Sequence, residues 1–108
     1  MASTAPFTVL CTVQPTAKKT DAYCRVDVRL GDITDAAKKA LASAPLHVEV
    51  MCNNHTVLES VELVEPHDAC NNFCKLALHQ AGTYTISVRV QMLSAVSSSF
   101  TLLPPPSS

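Results

Sequence analysis

Gly82-Thr83-Tyr84-Thr85-Ile86-Ser87-Val88-Arg89-Val90 is the stretch on which the fold class turns. Tyr84, Ile86, Val88 and Val90 fall on one side of a strict alternation, and Thr83, Thr85, Ser87 and Arg89 on the other. Successive side chains of an extended chain point to opposite faces, so a period of two marks a half-buried β-strand. The apolar side is aromatic and β-branched, the chemistry that packs well on a pleated surface.

The same period recurs on either side of this stretch. Cys24, Val26, Val28 and Leu30 alternate with Tyr23, Arg25, Asp27 and Arg29 until Gly31 breaks the run. Phe7, Val9, Cys11 and Val13 make an earlier strand that Pro15 ends. Leu46, Val48, Val50 and Cys52 alternate with His47, Glu49 and Met51, and Cys52-Asn53-Asn54-His55 reads as a turn. The run Thr56 to Val64 returns with two open registers, one turning Val57, Val61 and Leu63 inward and the other Leu58 and Val64. Glu65-Pro66-His67-Asp68 is a second turn, and strands follow over Phe73 to Leu78 and Val96 to Leu103.

Asp32 to Ser43 has a different character. Ile33, Ala36, Ala37, Ala40 and Leu41 recur at helical spacing among good helix formers, with Asp32 or Thr34 to cap and Pro45 to stop. One short helix is expected over 33–43, about three turns long. Seven strands and one inserted helix predict an all-β chain: a seven-stranded immunoglobulin-like β-sandwich over 1–103, with a Pro/Ser-rich tail or linker at 104–108. A chain of 108 residues, 47% hydrophobic and 16% charged, suits one globular domain with a core of its own.

Ala81-Gly82-Thr83-Tyr84-Thr85-Ile86 resembles strand F of immunoglobulin-like domains, where a tyrosine hydroxyl bonds back to the backbone. Antibody-type domains place a cysteine two residues after that tyrosine and a tryptophan in the core. This chain has Ile86 there and no tryptophan. Residues 70–103 are more similar to the filamin-type repeat: Phe73-Cys74-Lys75-Leu76-Ala77-Leu78, then Gly82-Thr83-Tyr84-Thr85-Ile86-Ser87-Val88, then Val96 to Leu102. Three features depart from that pattern: no proline between Ser99 and Phe100, Leu78 where proline is usual, and the helix over 33–43. Other cytosolic sandwiches, such as the major-sperm-protein class, share the same weak signature.

Chemistry-bearing motifs are sparse. Cys70-x3-Cys74 has zinc-ligand spacing, and His67 or His79 stands near, but no second close pair completes a tetrahedral set. A thiol nucleophile needs an imidazole partner, for which His55 and His79 are the candidates and spacing supplies no geometry. Two glycines in the whole chain leave no phosphate loop, and neither a serine elbow nor His-Glu-x-x-His occurs. Glu59, Glu62 and Glu65 read as the solvent side of a strand and its exit. No catalytic residue, metal ligand or cofactor is therefore assigned, and an enzyme is not expected. A net charge of −1, with Lys18-Lys19 and Lys38-Lys39 as isolated pairs, gives no footprint for nucleic acid. No run approaches the roughly 18 apolar residues a membrane helix needs, so no membrane span is expected. Five cysteines, an odd count, with no secretory leader at Met1 to Pro6 suggest reduced thiols and a cytoplasmic setting, and the filamin-type resemblance implies association with the cytoskeleton.

What the sequence leaves for function is backbone. A sheet edge offers unpaired N–H and C=O groups onto which a partner segment can add as a strand. The filamin-type resemblance implies that strand C, beside strand D, is used in this way. Carried onto this chain, that edge is Leu46 to Cys52, with Leu46, Val48, Val50, Met51, Cys52 and Val57 as the partner-binding residues. The expected function is a non-catalytic protein-interaction or scaffold domain whose partner is a peptide strand or another domain. The alternatives are an extracellular adhesion domain with disulfides, to which the sequon Asn54-His55-Thr56 would belong, and a small metal or thiol-redox protein.

Overall fold

The computed structural model describes residues 5–15, 24–78 and 80–102. The tail at 104–108, Lys18-Lys19 and His79 lie outside these residues. The described chain is mostly β. Its strands are β1 (Thr8–Pro15), β2 (Cys24–Gly31), β3 (Leu46–Cys52), β4 (His55–Glu62), β5 (Cys74–Leu78), β6 (Gly82–Val90), β7 (Leu93–Val96) and β8 (Phe100–Leu102). Two helices interrupt them, α1 (Asp35–Ser43) and α2 (Pro66–Ala69). One sheet has the order β1-β2-β5. The other runs β4-β3-β6, and both β7 and β8 pair with the far side of β6. Each described pairing is antiparallel.

Eight strands stand where seven were expected, because the last strand is broken. Leu93–Val96 lies opposite Ser87–Val90, and Phe100–Leu102 lies opposite Gly82–Tyr84. Between them, Ser97-Ser98-Ser99 leaves the ladder. Serine hydroxyls compete with backbone groups for hydrogen bonds and so favour such departures. Ser97 bridges the gap: its N–H donates to the Ile86 carbonyl at 2.8 Å, and its hydroxyl oxygen accepts from the Ile86 N–H at 2.9 Å. One buried serine thus satisfies both backbone groups of a residue at the centre of the sheet. The strand also begins earlier than the pattern predicts, at Leu93, after a tight turn in which Gln91 takes a positive φ of 53°.

The helix expected over 33–43 forms over Asp35–Ser43. Thr34 is its N-cap, accepting from the Ala37 N–H at 3.3 Å while its own hydroxyl donates to the Pro6 carbonyl at 3.0 Å. That pair of bonds ties the helix start to the entry of β1. Ala37, Ala40 and Leu41 face the core, as their spacing predicts. The second helix is a correction, since Glu65-Pro66-His67-Asp68 reads as a turn in sequence. Proline at the first helical position costs no hydrogen bond, and burial of Ala69 draws the segment into one helical turn.

A single hydrophobic cluster joins the two sheets. Val26, Val28, Leu30, Cys74, Leu76 and Leu78 come from one sheet, and Leu46, Val48, Val50, Tyr84, Ile86, Val88 and Val90 from the other. Phe7, Val9, Cys52, Val64, Ala69 and the buried face of α1 complete it. Fully burying a side chain of this size contributes roughly 1.5–3 kcal/mol. Tyr84 stacks on Phe100 with ring centroids 5.7 Å apart, and its hydroxyl donates to the Gln80 carbonyl.

Ser97→Ala removes the acceptor for a buried N–H at the middle of β6. The expected loss is about 1–3 kcal/mol in unfolding free energy, read from urea denaturation. An unchanged midpoint would mean that another acceptor reaches the Ile86 N–H.

Candidate interaction surface

The predicted strand-C edge does not exist. β3 is an interior strand, paired with β4 on one side and β6 on the other along its whole length. Leu46, Val48, Val50 and Cys52 are buried on its inner face, and Met51 is half-buried on the outer one. Of the six predicted residues, Val57 alone belongs to another strand, β4. The cause is the turn after Cys52. Asn53 and Asn54 have φ values of 50° and 70°, the left-handed pair that a two-residue hairpin requires. This turn folds β4 straight back onto the side of β3 that the sequence reading left open. Asn53 locks the corner further, donating its N–H to the Thr83 carbonyl and accepting from the Thr83 N–H through Oδ1.

The open edge of this sheet is β4. Among the described residues it pairs with β3 alone. Of the two registers left open by the sequence, the one turning Leu58 and Val64 inward is met only at Val64, which is buried just beyond the strand, for β4 itself buries no face. Val57 is 44% exposed, Leu58 43%, Val61 58% and, just beyond the strand, Leu63 82%. The opposite sheet is only three strands wide, and its edge strand β5 faces β4 across an open cleft lined by Val57, Leu58, Ala77 and Leu78. A register shift between Val50 and Met51 leaves Val57 as the extra residue of a β-bulge.

Other edges are less open. β1 adjoins β7 across a shallow cleft lined by Phe7, Val9, Ser94 and Val96. β5 is five residues long, and the β7–β8 edge is cut by the serine break. Sequence reasoning passed over Leu58, Glu59, Val61, Glu62 and Leu63. Their ambiguous register was the available signal: apolar residues on both faces show that no single face of the strand is set aside for the core, and the interspersed Glu59 and Glu62 argue against burial of both.

Glu59 stands directly opposite Glu49 in the β3–β4 ladder, and His47 lies between Val61 and Arg89 in the next row. These residues, with Ser87 and Ser94, line a shallow depression on the outer face of the sheet. Like charges directly opposite one another disfavour a pairing. Among the described residues Glu49, Glu59, Glu62 and Glu65 form no salt bridge; the one ion pair found there is Arg25–Asp27 at 3.4 Å.

Among the described side chains no pair of cysteines is joined. Cys11, Cys52, Cys70 and Cys74 are free. Cys11 and Cys74 both pair with Val28, one on each side, so a whole strand separates their backbones. Burial pushes the Cys74 thiol up to about 11, helped by the Glu62 carboxylate and by Cys11. Cys11 is raised by burial too, against the opposing pull of its Ser97 hydrogen bond. A reactive thiol needs the opposite shift. Cys70 is exposed at the end of α2, its thiol 3.8 Å from the Pro66 carbonyl. Among the described residues no group of three or more His, Cys, Asp or Glu is placed to hold a metal ion. No described helix is long and apolar enough to cross a membrane.

Comparison with protein-family models, with curated proteins and with solved structures found no match.

The raised Cys74 thiol has a consequence for stability. Between its ordinary value of 9.0 and about 11, the unfolded thiol releases its proton and the folded one keeps it. The folded state then binds more protons, so stability falls as pH rises through that window. Melting temperature measured across it should fall more steeply for the wild type than for Cys74→Ala. Parallel slopes would show that this thiol does not titrate differently in the two states.

Proposed function

We propose that this chain is an immunoglobulin-like β-sandwich that binds a protein partner without catalysis, by taking an extended segment onto β4 as an added strand. The observation that carries this reading is the β4 edge. It is eight residues long, paired on one side among the described residues, and apolar on both exposed faces. Natural edge strands are blunted by proline, by lysine and other charged side chains, by bulges or by a covering element. The sequence His-Thr-Val-Leu-Glu-Ser-Val-Glu carries neither proline nor lysine, and its blunting devices are the bulge at Val57 and the acidic Glu59 and Glu62. An added strand would gain main-chain hydrogen bonds, while Val57, Leu58 and Val61 select its side chains.

Two features support the immunoglobulin-like assignment. The Tyr84 hydroxyl reaches the Gln80 carbonyl, the corner bond of strand F in that class. The two antiparallel sheets also share one core. The filamin-type resemblance would make β3 and β4 the strand C and strand D pair, with the binding edge moved outward by one strand. The cytoplasmic, cytoskeleton-associated setting goes with this reading.

The test uses a random-sequence peptide library displayed on phage and panned against the whole chain. Selected peptides should slow hydrogen exchange at the amides of residues 55–62. In an antiparallel ladder alternate N–H groups point outward, so one of Ser60→Pro and Val61→Pro spares the bonds to β3. Whichever variant keeps its cooperative melt should bind those peptides at least about tenfold more weakly, the cost of one to two lost hydrogen bonds. Selected peptides that protect β1 or β5 instead, or that bind the folded proline variant unchanged, would refute strand addition at β4.

A further inference from the structure

We propose that the segment captured by β4 is a basic strand, in which lysine or arginine recurs at every third position among β-branched or aromatic residues and so falls on both faces. This deepens the strand-addition reading above and rests on it.

Charge along the seam carries the argument. β3 and β4 together hold Glu49, Glu59 and Glu62, and Glu65 follows as the N-cap of α2. Neither strand contains lysine or arginine. Arg89 stands in the row of Val61 but two strands in from the edge. Glu59 shares its face with Glu49, so a side chain laid opposite it on a new strand meets the Glu59 carboxylate directly, with Glu49 one strand further in on the same face. Glu62 is two ladder positions beyond Ser60 on the other face, where its charge reaches Cys74. A cation is therefore favoured on each face of the incoming strand. Leu58 and the Val57–Val61 pair ask for apolar residues beside those cations.

The same arithmetic disfavours a second copy of this chain. In any overlapping antiparallel register, self-pairing would bring another Glu59 and Glu62 to a seam that already holds both. Neither strand would bring a cation to it. Opposite-charge cross-strand pairs contribute roughly 0.2–1 kcal/mol each, and like-charge pairs oppose pairing. Screening would weaken the preference as salt rises.

The probes are two synthetic peptides matched in length to β4, one with lysine at every third position among valines and the other with glutamate at those positions. The lysine peptide should bind the whole chain, slow exchange in β4 and weaken with added salt, while the glutamate peptide should not bind. The Glu59→Lys/Glu62→Lys double variant, whose substitutions fall at exposed positions, should invert that order. It should bind the lysine peptide about tenfold more weakly, as two reversed cross-strand pairs imply. Equal protection of β4 by both peptides would keep strand addition and overturn the basic partner. Protection by neither would overturn the basic partner and leave strand addition to the library panning. Lysine-peptide binding that leaves β4 exchange unchanged, and that the folded proline variant retains in full, would overturn both.

Discussion

Every part of the larger sheet depends on the two-sided pairing of β6. On one side it meets β3 over seven residue pairs, and on the other it meets β7 and then β8. Its inner residues Tyr84, Ile86, Val88 and Val90 are all buried to 2% exposure or less. A strand so enclosed cannot leave backbone groups without partners, because each buried orphan costs about as much as a lost hydrogen bond. The serine break therefore falls where a side chain can repair it. Ser97 returns both bonds to Ile86, and the sheet remains continuous through a gap in its neighbour. Gly82 belongs to the same constraint. A Cβ there would sit 2.6 Å from the Cys52 sulfur, so glycine is what lets β6 enter the sheet beside the end of β3.

With β6 fixed at the centre, β3 is fixed beside it, and the Asn53-Asn54 hairpin then determines what lies outermost. β4 gains a full ladder to β3 but no opposing layer. Its apolar residues stay partly exposed, and Glu59 faces a like charge in Glu49. In the strand addition we propose, acidic side chains are the means this edge has of discriminating among partners. Carboxylates turned outward would hold off copies of the same strand while attracting a strand of opposite charge. On this view the apolar residues set the strength of binding and the glutamates its specificity.

Cys11 and Cys74 occupy positions that a β-branched residue would otherwise fill. They flank Val28 on the inner face of the smaller sheet, and burial raises both thiols. Their role is packing, in keeping with the behaviour of cysteine as a small hydrophobe. The arrangement keeps them a strand apart, so neither reaches the other without movement of the backbone.

The sequence by itself determined the strands, the one longer helix and most of the core. Period-two alternation is a local consequence of backbone geometry, and Tyr84 to Val90, Cys24 to Leu30 and Leu46 to Cys52 display it without interference. Thr34, Pro45 and the alanine spacing bounded α1 in the same local way. The broken last strand was half legible: the serines are visible, but nothing local shows that Ile86 needs one of them as a ladder partner. Tertiary structure alone decided which strand is an edge. Alternation reports that one face of a strand is buried and is silent about what pairs beside it, so interior β3 looked like an edge. β4 gave no clean alternation because neither of its faces is covered, and coverage is set by the width of the opposite sheet, which no residue of β4 encodes.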